Sequence, residues 1–284
     1  MIACTPHPGL GKVTYAHVQL DLASCKRSAG SLPSPPADGV TVDAKPDSQT
    51  ILFKGKVVLT IHERRSPNGM LPGPLFVDGL TPDKKWLLYA IDPFGSNSYA
   101  ADGLTTRAIR VTGGRSYVVS SGLGGGLGGD YSVWCGGRLV VTAGTNRIAT
   151  KHKWLIVTGP PTWKAKRLVD APGRAFGSLA CSPDGRSFVV QSQPQSGDAN
   201  FFATHWSLWR VGLDGSTTQV THPPAHHADE SPKFAGSILY FVRSQKGHGE
   251  LYAMPGGKLV GPLLSLGYSL GYYGHQAWPY TVTR

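Results

Sequence analysis

The segment LACSPDGRSFVVQS, residues 179–192, places a Ser-Pro-Asp-Gly-Arg turn between two short apolar stretches. Proline presets the backbone for a turn, the aspartate side chain can bond its own backbone, and Gly185 can adopt a positive φ. The segment therefore predicts a tight β-hairpin.

Four further segments keep this hairpin pattern in whole or in part, at residues 43–55, 77–90, 131–144 and 230–243. The strands that follow the five turns begin near Ile51, Trp86, Leu139, Phe188 and Ile238, in steps of 35, 53, 49 and 50 residues. Within the period there is also a second segment in which a glycine turn joins two strands. It occurs at residues 107–119, 153–169, 207–221 and 250–263. Four strands per unit are typical of propeller blades, none of which can bury both faces alone.

The composition agrees with short strands joined by many turns. The 284 residues include 37 glycines and 22 prolines, which disfavour long helices. Apolar residues make up 40% of the chain and aromatic residues 10%, which is enough for a compact core. An all-β fold is predicted.

Two motifs carry a resemblance to a known family. SPDGR followed by an apolar strand, and LWRVGLDG followed by a run ending in Val-Thr, resemble the repeats of TolB-like β-propellers, which are distant relatives of WD-repeat propellers. The likeness covers residues 40–263 and is strongest over 177–263. It implies the architecture and is a poor guide to function.

The ends of the chain are expected to complete the ring. Residues 12–30 contain two strand-like stretches, and residues 266–284 can supply the strands that those lack. An open propeller would leave edge strands unpaired. We therefore predict one domain over residues 1–284: a six-bladed propeller of four-stranded antiparallel blades, closed by the N- and C-terminal strands.

The four cysteines have no C-x-x-C spacing. Cys135 and Cys181 occupy similar places in two repeats and are expected to pair, which leaves Cys4 to pair with Cys25. An even count fits an oxidising compartment, with four reduced thiols as the alternative. The first twelve residues have no apolar stretch of signal-peptide length, although Met-Ile-Ala-Cys resembles the end of a lipoprotein signal. The resemblance to TolB-like propellers, together with the even cysteine count, implies an exported bacterial protein, periplasmic, envelope-anchored or secreted, whose native leader is absent from this chain.

Two glycine-rich segments match catalytic or nucleotide-binding patterns formally. GYSLG, residues 267–271, fits G-x-S-x-G, but the last acidic residue is Glu250, so the order serine, acid, histidine cannot be completed after Ser269. GLGGGLGGD, residues 122–130, leads into a strand and not into the helix that gives G-x-G-x-x-G its meaning. Both matches are interpreted as chance, and neither catalytic residues nor a cofactor is expected.

The segment THPPAHHADE, residues 221–230, is the main polar cluster. Its metal-capable side chains are His222, His226, His227, Asp229 and Glu230. Adjacent histidines on an extended chain point apart, so a polar loop is favoured over a metal site.

A long connection precedes this cluster and contains four candidate binding residues, Phe201, Phe202, His205 and Trp206. Connections of this length commonly bind a ligand or cover a neighbouring apolar edge. These residues are predicted to form an exposed binding platform, with the covering role left open.

The charge of +11 is concentrated in one part of the sequence. Its basic residues are Arg138, Arg147, Lys151, Lys153, Lys164, Lys166, Arg167 and Arg174. Such a patch attracts a polyanion or an anionic envelope polymer and indicates no specific nucleic acid. No apolar run is long enough to be a transmembrane segment.

The combined prediction is a non-catalytic scaffold, monomeric, that binds a protein or peptide partner on one face or in the central funnel. Two alternatives remain: a propeller hydrolase or lyase with histidines and acids at the channel, and a polyanion-binding module that uses residues 138–174.

Overall fold

The computed structural model describes residues 4–31, 39–45, 47–62, 75–91, 105–120, 131–144, 148–169, 171–196, 205–269 and 278–284. These residues form antiparallel strands and, among them, one short 3₁₀ turn at Pro255–Gly257. The strands, in chain order, are β1 Lys12–Tyr15, β2 Val18–Asp21, β3 Arg27–Ala29, β4 Val40–Lys45, β5 Ser48–Phe53, β6 Lys56–His62, β7 Leu75–Leu80, β8 Trp86–Ile91, β9 Thr106–Arg110, β10 Tyr117–Ser120, β11 Ser132–Cys135, β12 Arg138–Ala143, β13 Trp154–Thr158, β14 Lys166–Arg167, β15 Arg174–Cys181, β16 Ser187–Pro194, β17 Ser207–Gly212, β18 Thr217–Gln219, β19 Ala228–Ala235, β20 Ile238–Gln245, β21 His248–Met254, β22 Val260–Tyr268 and β23 Tyr280–Thr283.

The strands form six sheets, which we call blades. Blade I contains β4 to β6, blade II β7 to β10, blade III β11 to β14, blade IV β15 to β18 and blade V β19 to β22. The sixth, the terminal blade, has the order β23, β1, β2, β3. The prediction of an all-β propeller with six sheets is confirmed, although blade I has three strands within the described residues, not the expected four.

All nine predicted hairpins are present. The five first hairpins open blades I to V, and the four second hairpins complete blades II to V. The opening turn of blade IV shows the local cause: the Asp184 carboxylate accepts bonds from Ser182 Oγ at 2.8 Å and Arg186 N at 3.0 Å, and Gly185 has φ 67°. Side-chain acceptors and a glycine with positive φ are what such turns require.

The terminal blade joins both ends of the described chain, as predicted. β1 pairs with β23 in a register that places Tyr15 opposite Tyr280. Two details of that prediction were wrong. The N-terminal region supplies three strands, and Leu266–Tyr268 extend β22 of blade V, so that β23 is the one strand of the described C-terminal residues that joins the terminal blade. Leu266 belongs to the core of blade V because its side chain is buried there.

Hydrophobic clusters fill the spaces between successive blades, from blade I to the terminal blade. Each cluster takes buried side chains from two neighbouring sheets: Ile51 and Leu87, Trp86 and Leu139, Val140 and Phe188, Val189 and Phe241, Tyr240 and Val13. Since each sheet shares a cluster with the next, the blades are stabilised by their neighbours.

The first strands of blades III, IV and V and strand β23 contact one another in series and form the inner wall. Hydrogen bonds cross between these blades at β-bulges. Thr142 Oγ1 donates to the Gly177 carbonyl at 2.7 Å, the Ser231 amide donates to Gln191 Oε1 at 3.3 Å, and Tyr280 OH donates to the Ser231 carbonyl at 2.5 Å. At the bulges, backbone groups that have no partner within their own sheet are therefore hydrogen-bonded by a side chain of a neighbouring blade.

Both predicted cysteine pairs are joined in the structure. Cys4 and Cys25 have a Cα separation of 6.0 Å, and Cys135 and Cys181 one of 5.3 Å. The second bond connects the ends of β11 and β15, so it links blades III and IV covalently.

Candidate functional site

The two faces of the propeller carry different connections. Because the strands alternate in direction, the turns between the first and second strands of blades II to V share one face, which we call the turn face. In these four blades the connections to the next blade, and those between the second and third strands, emerge on the opposite linker face. Both disulfides lie at the turn face, and residues 195–196, 205–206 and 220–227 of blade IV lie at the linker face.

A pocket of about 470 Å³ opens on the linker face, and we call it the histidine pocket. Its lining residues are His205, Ser207, Gln219, His222, Pro223, Pro224, Ala225, His226 and His227. The structure thus brings His205, predicted as part of a binding platform, together with the three histidines of the predicted polar loop. The ring centroids of His205 and His226 are 6.3 Å apart.

The pocket is held by turns and by side chains beneath it. The His205 amide donates to Gln193 Oε1 at 2.8 Å, which fixes the entry into β17. On the other side, the His227 amide donates to the Pro224 carbonyl at 3.1 Å, and His226 takes a positive φ of 63°. A proline-led turn of this kind restricts the backbone, so the histidines are presented on a preformed surface.

The histidine side chains remain accessible to ligands from solvent. His205, His222 and His226 are exposed, and His227 is half-buried with its Nδ1 2.9 Å from the Ala225 carbonyl oxygen. Within the ranges that the structure describes, no three side chains of His, Cys, Asp or Glu converge in a way that could hold a metal ion. The arrangement offers imidazoles for hydrogen bonds, ring contacts and, when protonated, pairing with carboxylates.

The two acids of the predicted polar loop lie elsewhere. Asp229 and Glu230 are on β19 and fully buried, so their prediction as loop residues was wrong. Asp229 forms a two-point ion pair with Arg243, at 2.7 Å and 2.9 Å, and the Arg243 guanidinium lies 5.0 Å from the centre of the Tyr252 ring. Burial is tolerated because the charge is paired and hydrogen-bonded.

Glu230 is held by neutral donors. Its Oε2 accepts bonds from Trp278 Nε1 at 3.0 Å and Ser244 Oγ at 2.9 Å. Burial raises the pKa of Glu230 to about 7, although these two hydrogen bonds act in the opposite direction. The carboxyl group therefore connects blade V to the terminal blade and does not face the histidine pocket.

The predicted aromatic platform is corrected by the position of Trp206. Its side chain is 1% exposed and packs with Ala149, Ala175 and Ala228, so it supports the linker face from below. The three alanines belong to three different blades, and their small side chains leave a space that the indole ring fills. Burial of this large apolar ring is favourable. Phe201 and Phe202 lie outside the described residues.

The predicted basic sector is divided between locations. Arg138 begins β12 at the turn face and Lys164, Lys166 and Arg167 are exposed on the outer part of blade III, whereas Lys151 and Arg174 are at the linker face. Lys153 is buried, its Nζ donates to the carbonyls of Ile148 and Lys151, and burial lowers its pKa to about 8. Arg147 lies outside the described residues.

Sequence reasoning missed Asp78. It occupies a bulge of β7 between Val77 and Gly79 and lines a second pocket of about 250 Å³ between blades II and III. An acidic residue within an otherwise apolar strand, followed by a glycine, is the signal that could have indicated it.

The glycine-rich segments are only partly within the described ranges. Ser269 follows β22, and its amide donates to the Gly247 carbonyl at 2.8 Å, while residues 270–277 and 121–130 lie outside them. The interpretation of both motifs as chance matches stays a prediction.

No protein-family model and no curated protein sequence matches this chain. Solved structures do resemble it. A puromycin hydrolase has a TM-score of 0.49 and 12% identity, covering 97% of this chain and 45% of that chain. The β-propeller domain of the Trilobed protease from Pyrococcus furiosus has a TM-score of 0.46 and 12% identity, covering 86% of this chain and 72% of that chain. TolB from Acinetobacter baumannii has a TM-score of 0.43 and 15% identity, covering 94% of this chain and 68% of that chain.

This chain spans less than half the length of the puromycin hydrolase. Similarities of this size concern architecture only, and a propeller architecture does not determine function. The described residues include no apolar helix of membrane-spanning length.

Proposed function

We propose that the protein is a non-catalytic propeller scaffold that binds a protein or peptide partner on its linker face, with the histidine pocket as the anchoring site. The observation that carries the proposal is the convergence of four histidines from two separate connections on one open, proline-walled pocket. A preformed concave surface with a few polar groups is the usual form of a binding site.

The charges suggest the kind of partner. The chain has a net charge of +11, which would steer an acidic segment towards it. Carboxylates of such a segment can accept hydrogen bonds from imidazole N–H groups, and more strongly from imidazolium. An acidic peptide is therefore the best-matched partner for this pocket.

The arrangement of the acids supports binding over catalysis. A propeller hydrolase or lyase with a histidine and acid pair would need a carboxylate within hydrogen-bond reach of an imidazole. Asp229 is instead paired with Arg243, and Glu230 with Trp278 and Ser244. Polyanion binding through residues 138–174 is disfavoured because Lys153 is buried and the other described cations are divided between the turn face, the outer part of blade III and the linker face.

An exported location is part of the proposal. Two disulfides are typical of proteins that fold in oxidising compartments such as the bacterial envelope or the extracellular space. A monomeric state and a single domain over residues 1–284 are likewise proposed.

The binding proposal can be tested by selecting peptides from a random displayed library on the immobilised protein. We expect the selected peptides to be acidic, and His222→Ala combined with His226→Ala should weaken their binding at least about tenfold. His17→Ala serves as the control, since His17 is an exposed histidine of the terminal blade. Equal binding to the double variant, or no selected peptide, would refute the histidine pocket as the anchoring site.

A further inference from the structure

The second pocket combines one carboxylate with apolar and aromatic walls. It lies between blades II and III, in a different part of the molecule from the histidine pocket, and we call it the aspartate pocket. Asp78, Thr106, Ser132 and Trp134 contribute its polar and aromatic lining, and leucine and valine side chains form the rest.

Asp78 is placed in the pocket by the irregularity of its own strand. β7 pairs with β8 through Val77 and Gly79, and Asp78 is the extra residue between them. A bulge re-aims the side chain that it carries. The Asp78 side chain is accessible from the pocket lumen, yet within the described part of the chain its carboxylate has neither a hydrogen bond nor an ion pair.

The surroundings disfavour a lone negative charge at this position. Desolvation raises the pKa of Asp78 to about 6, and among the described residues no cation acts in the opposite direction. A carboxylate that is partly desolvated without a counter-ion is stabilised by any cation that enters the pocket. Asp78 is exposed at the pocket surface, so a cation that enters the pocket can reach its carboxylate.

Trp134 supplies an aromatic surface in the same pocket. Its indole packs edge-on against Trp163, with ring centroids 6.2 Å apart. In the neighbouring blade, the Arg110 guanidinium lies 4.9 Å from the centre of the Trp86 ring. Over Trp134, by contrast, no cationic side chain of the described residues is stacked, and this ring lines the pocket.

We propose that the aspartate pocket binds an organic ammonium ion, with Asp78 as the counter-ion, Trp134 as the aromatic contact, and the leucine and valine walls around the carbon atoms of the ligand. A metal ion is a poorer match, because cations such as Ca²⁺ take six or more oxygen ligands and one carboxylate lines this pocket. The ammonium group can belong to a small molecule or to a lysine side chain of another protein.

Isothermal titration calorimetry at pH 7.5 tests the charge requirement directly. The probes are choline and its neutral isostere 3,3-dimethylbutan-1-ol, with Nα-acetyl-lysine methylamide as a third ligand. We expect choline or the lysine derivative to bind at least about tenfold more tightly than the neutral alcohol, given the strength of cation–π and ion-pair contacts in desolvated sites. Tighter binding of choline indicates a small-molecule source, and tighter binding of the lysine derivative a protein source. Equal binding of charged and neutral ligands, or no binding, overturns the proposal.

Two substitutions assign the binding to this pocket. Asp78→Asn removes the charge at constant size, and Trp134→Leu removes the ring; each should weaken ammonium binding at least about tenfold. Asp43→Asn, at an exposed position of β4, is the matched control and should leave binding unchanged. Unchanged affinity in the Asp78→Asn variant would contradict the proposal.

A pH series on the unmodified chain gives an independent readout. The residues that line the pocket from β8, β9, β11 and β12 carry no titratable group, so Asp78 is the one that ionises there among the described residues. Choline keeps its charge at every pH, so its affinity should fall about tenfold between pH 7 and pH 5 as Asp78 takes up a proton. An affinity that does not change with pH would refute the role of Asp78.

Discussion

At the scale of single residues, Glu230 shows how burial sets the cost of a charge. The folded protein holds the pKa of Glu230 at about 7, whereas the unfolded chain ionises it near 4.5. Between these values the unfolded state has lost the proton that the folded state still binds. Stability therefore falls as the pH rises through this window, by up to roughly 3 kcal/mol.

Glu230→Gln removes this titration and keeps an oxygen that can accept the bond from Trp278. We expect the variant to be more stable than the unmodified protein at pH 8, by roughly 2 to 3 kcal/mol, and to have little or no advantage at pH 4.5. Urea unfolding at both pH values measures the difference. Glu250→Gln, on the neighbouring strand β21 and only half-buried, is the control. An equal gain at both pH values would contradict the assignment.

At the scale of strands and turns, the same local device recurs at three hairpins. Asp83, Asp184 and Asp214 each accept a backbone amide bond from the residue two positions later, Lys85, Arg186 and Ser216. Each also accepts a hydroxyl bond, and these bonds hold the pKa of each carboxyl below its usual value. The turns are therefore encoded locally, which is why they can be located from sequence.

The Cys135–Cys181 bond connects the ends of strands β11 and β15 across blades III and IV. Replacing both cysteines by serine should lower the free energy of unfolding by roughly 3 to 4 kcal/mol, because the bond closes a loop with a sequence separation of 46 residues. The Cys4→Ser and Cys25→Ser pair, with a separation of 21, should cost less.

Denaturant titration of both double variants under oxidising conditions measures the two losses. The described residues include no free cysteine, so neither double variant leaves an unpaired thiol there. A larger loss for the Cys4 and Cys25 pair would show that loop size does not dominate.

The features predicted correctly from sequence are those with short-range causes. Gly185 and Asp184 mark a turn within five residues, and Cys135 and Cys181 sit at matching places in two repeats. The features predicted wrongly depend on a neighbouring blade. Trp206 is covered by side chains from three blades, and Glu230 meets Trp278 of the terminal blade. Burial by a neighbouring blade cannot be predicted from the local sequence pattern.

In the candidate sites, too, features with short-range causes were predicted and features that depend on distant parts of the chain were not. The histidines of residues 221–227 were identified as a polar cluster, but the approach of His205 to His226 requires the three-dimensional path of two connections. Asp78 was missed because a bulge, which shifts the alternation by one residue, determines where its side chain lies.

At the scale of the whole molecule, the pairing of β1 with β23 joins the two ends of the described chain. Tyr280 contributes most directly, since its side chain is 1% exposed and its hydroxyl donates to the Ser231 carbonyl of blade V. The ring also packs within the cluster between blade V and the terminal blade. Tyr280 therefore stabilises both the pairing of β23 with β1 and the packing of the terminal blade against blade V.

Tyr280→Ala should destabilise the protein by roughly 3 to 5 kcal/mol, because it opens a large cavity and leaves a buried carbonyl without its donor. Tyr280→Phe should cost about 1 kcal/mol, the share of the hydrogen bond alone. Tyr268→Ala is the control, as that tyrosine is 58% exposed at the end of β22. Thermal unfolding followed by near-ultraviolet circular dichroism measures all three, and a similar loss for Tyr268→Ala and Tyr280→Ala would contradict the role given to the terminal blade.

The hydrogen bonds that cross between blades at the bulges have a consequence for how the protein melts. If blade IV unfolded alone, the Ser231 amide of blade V would lose Gln191, and the Thr142 hydroxyl of blade III would lose the Gly177 carbonyl. The hydrophobic clusters that blade IV shares with blades III and V would be opened to water at the same time, so the opening of one blade weakens those on both sides of it. Heat should therefore remove these blades in one cooperative transition, and not blade by blade.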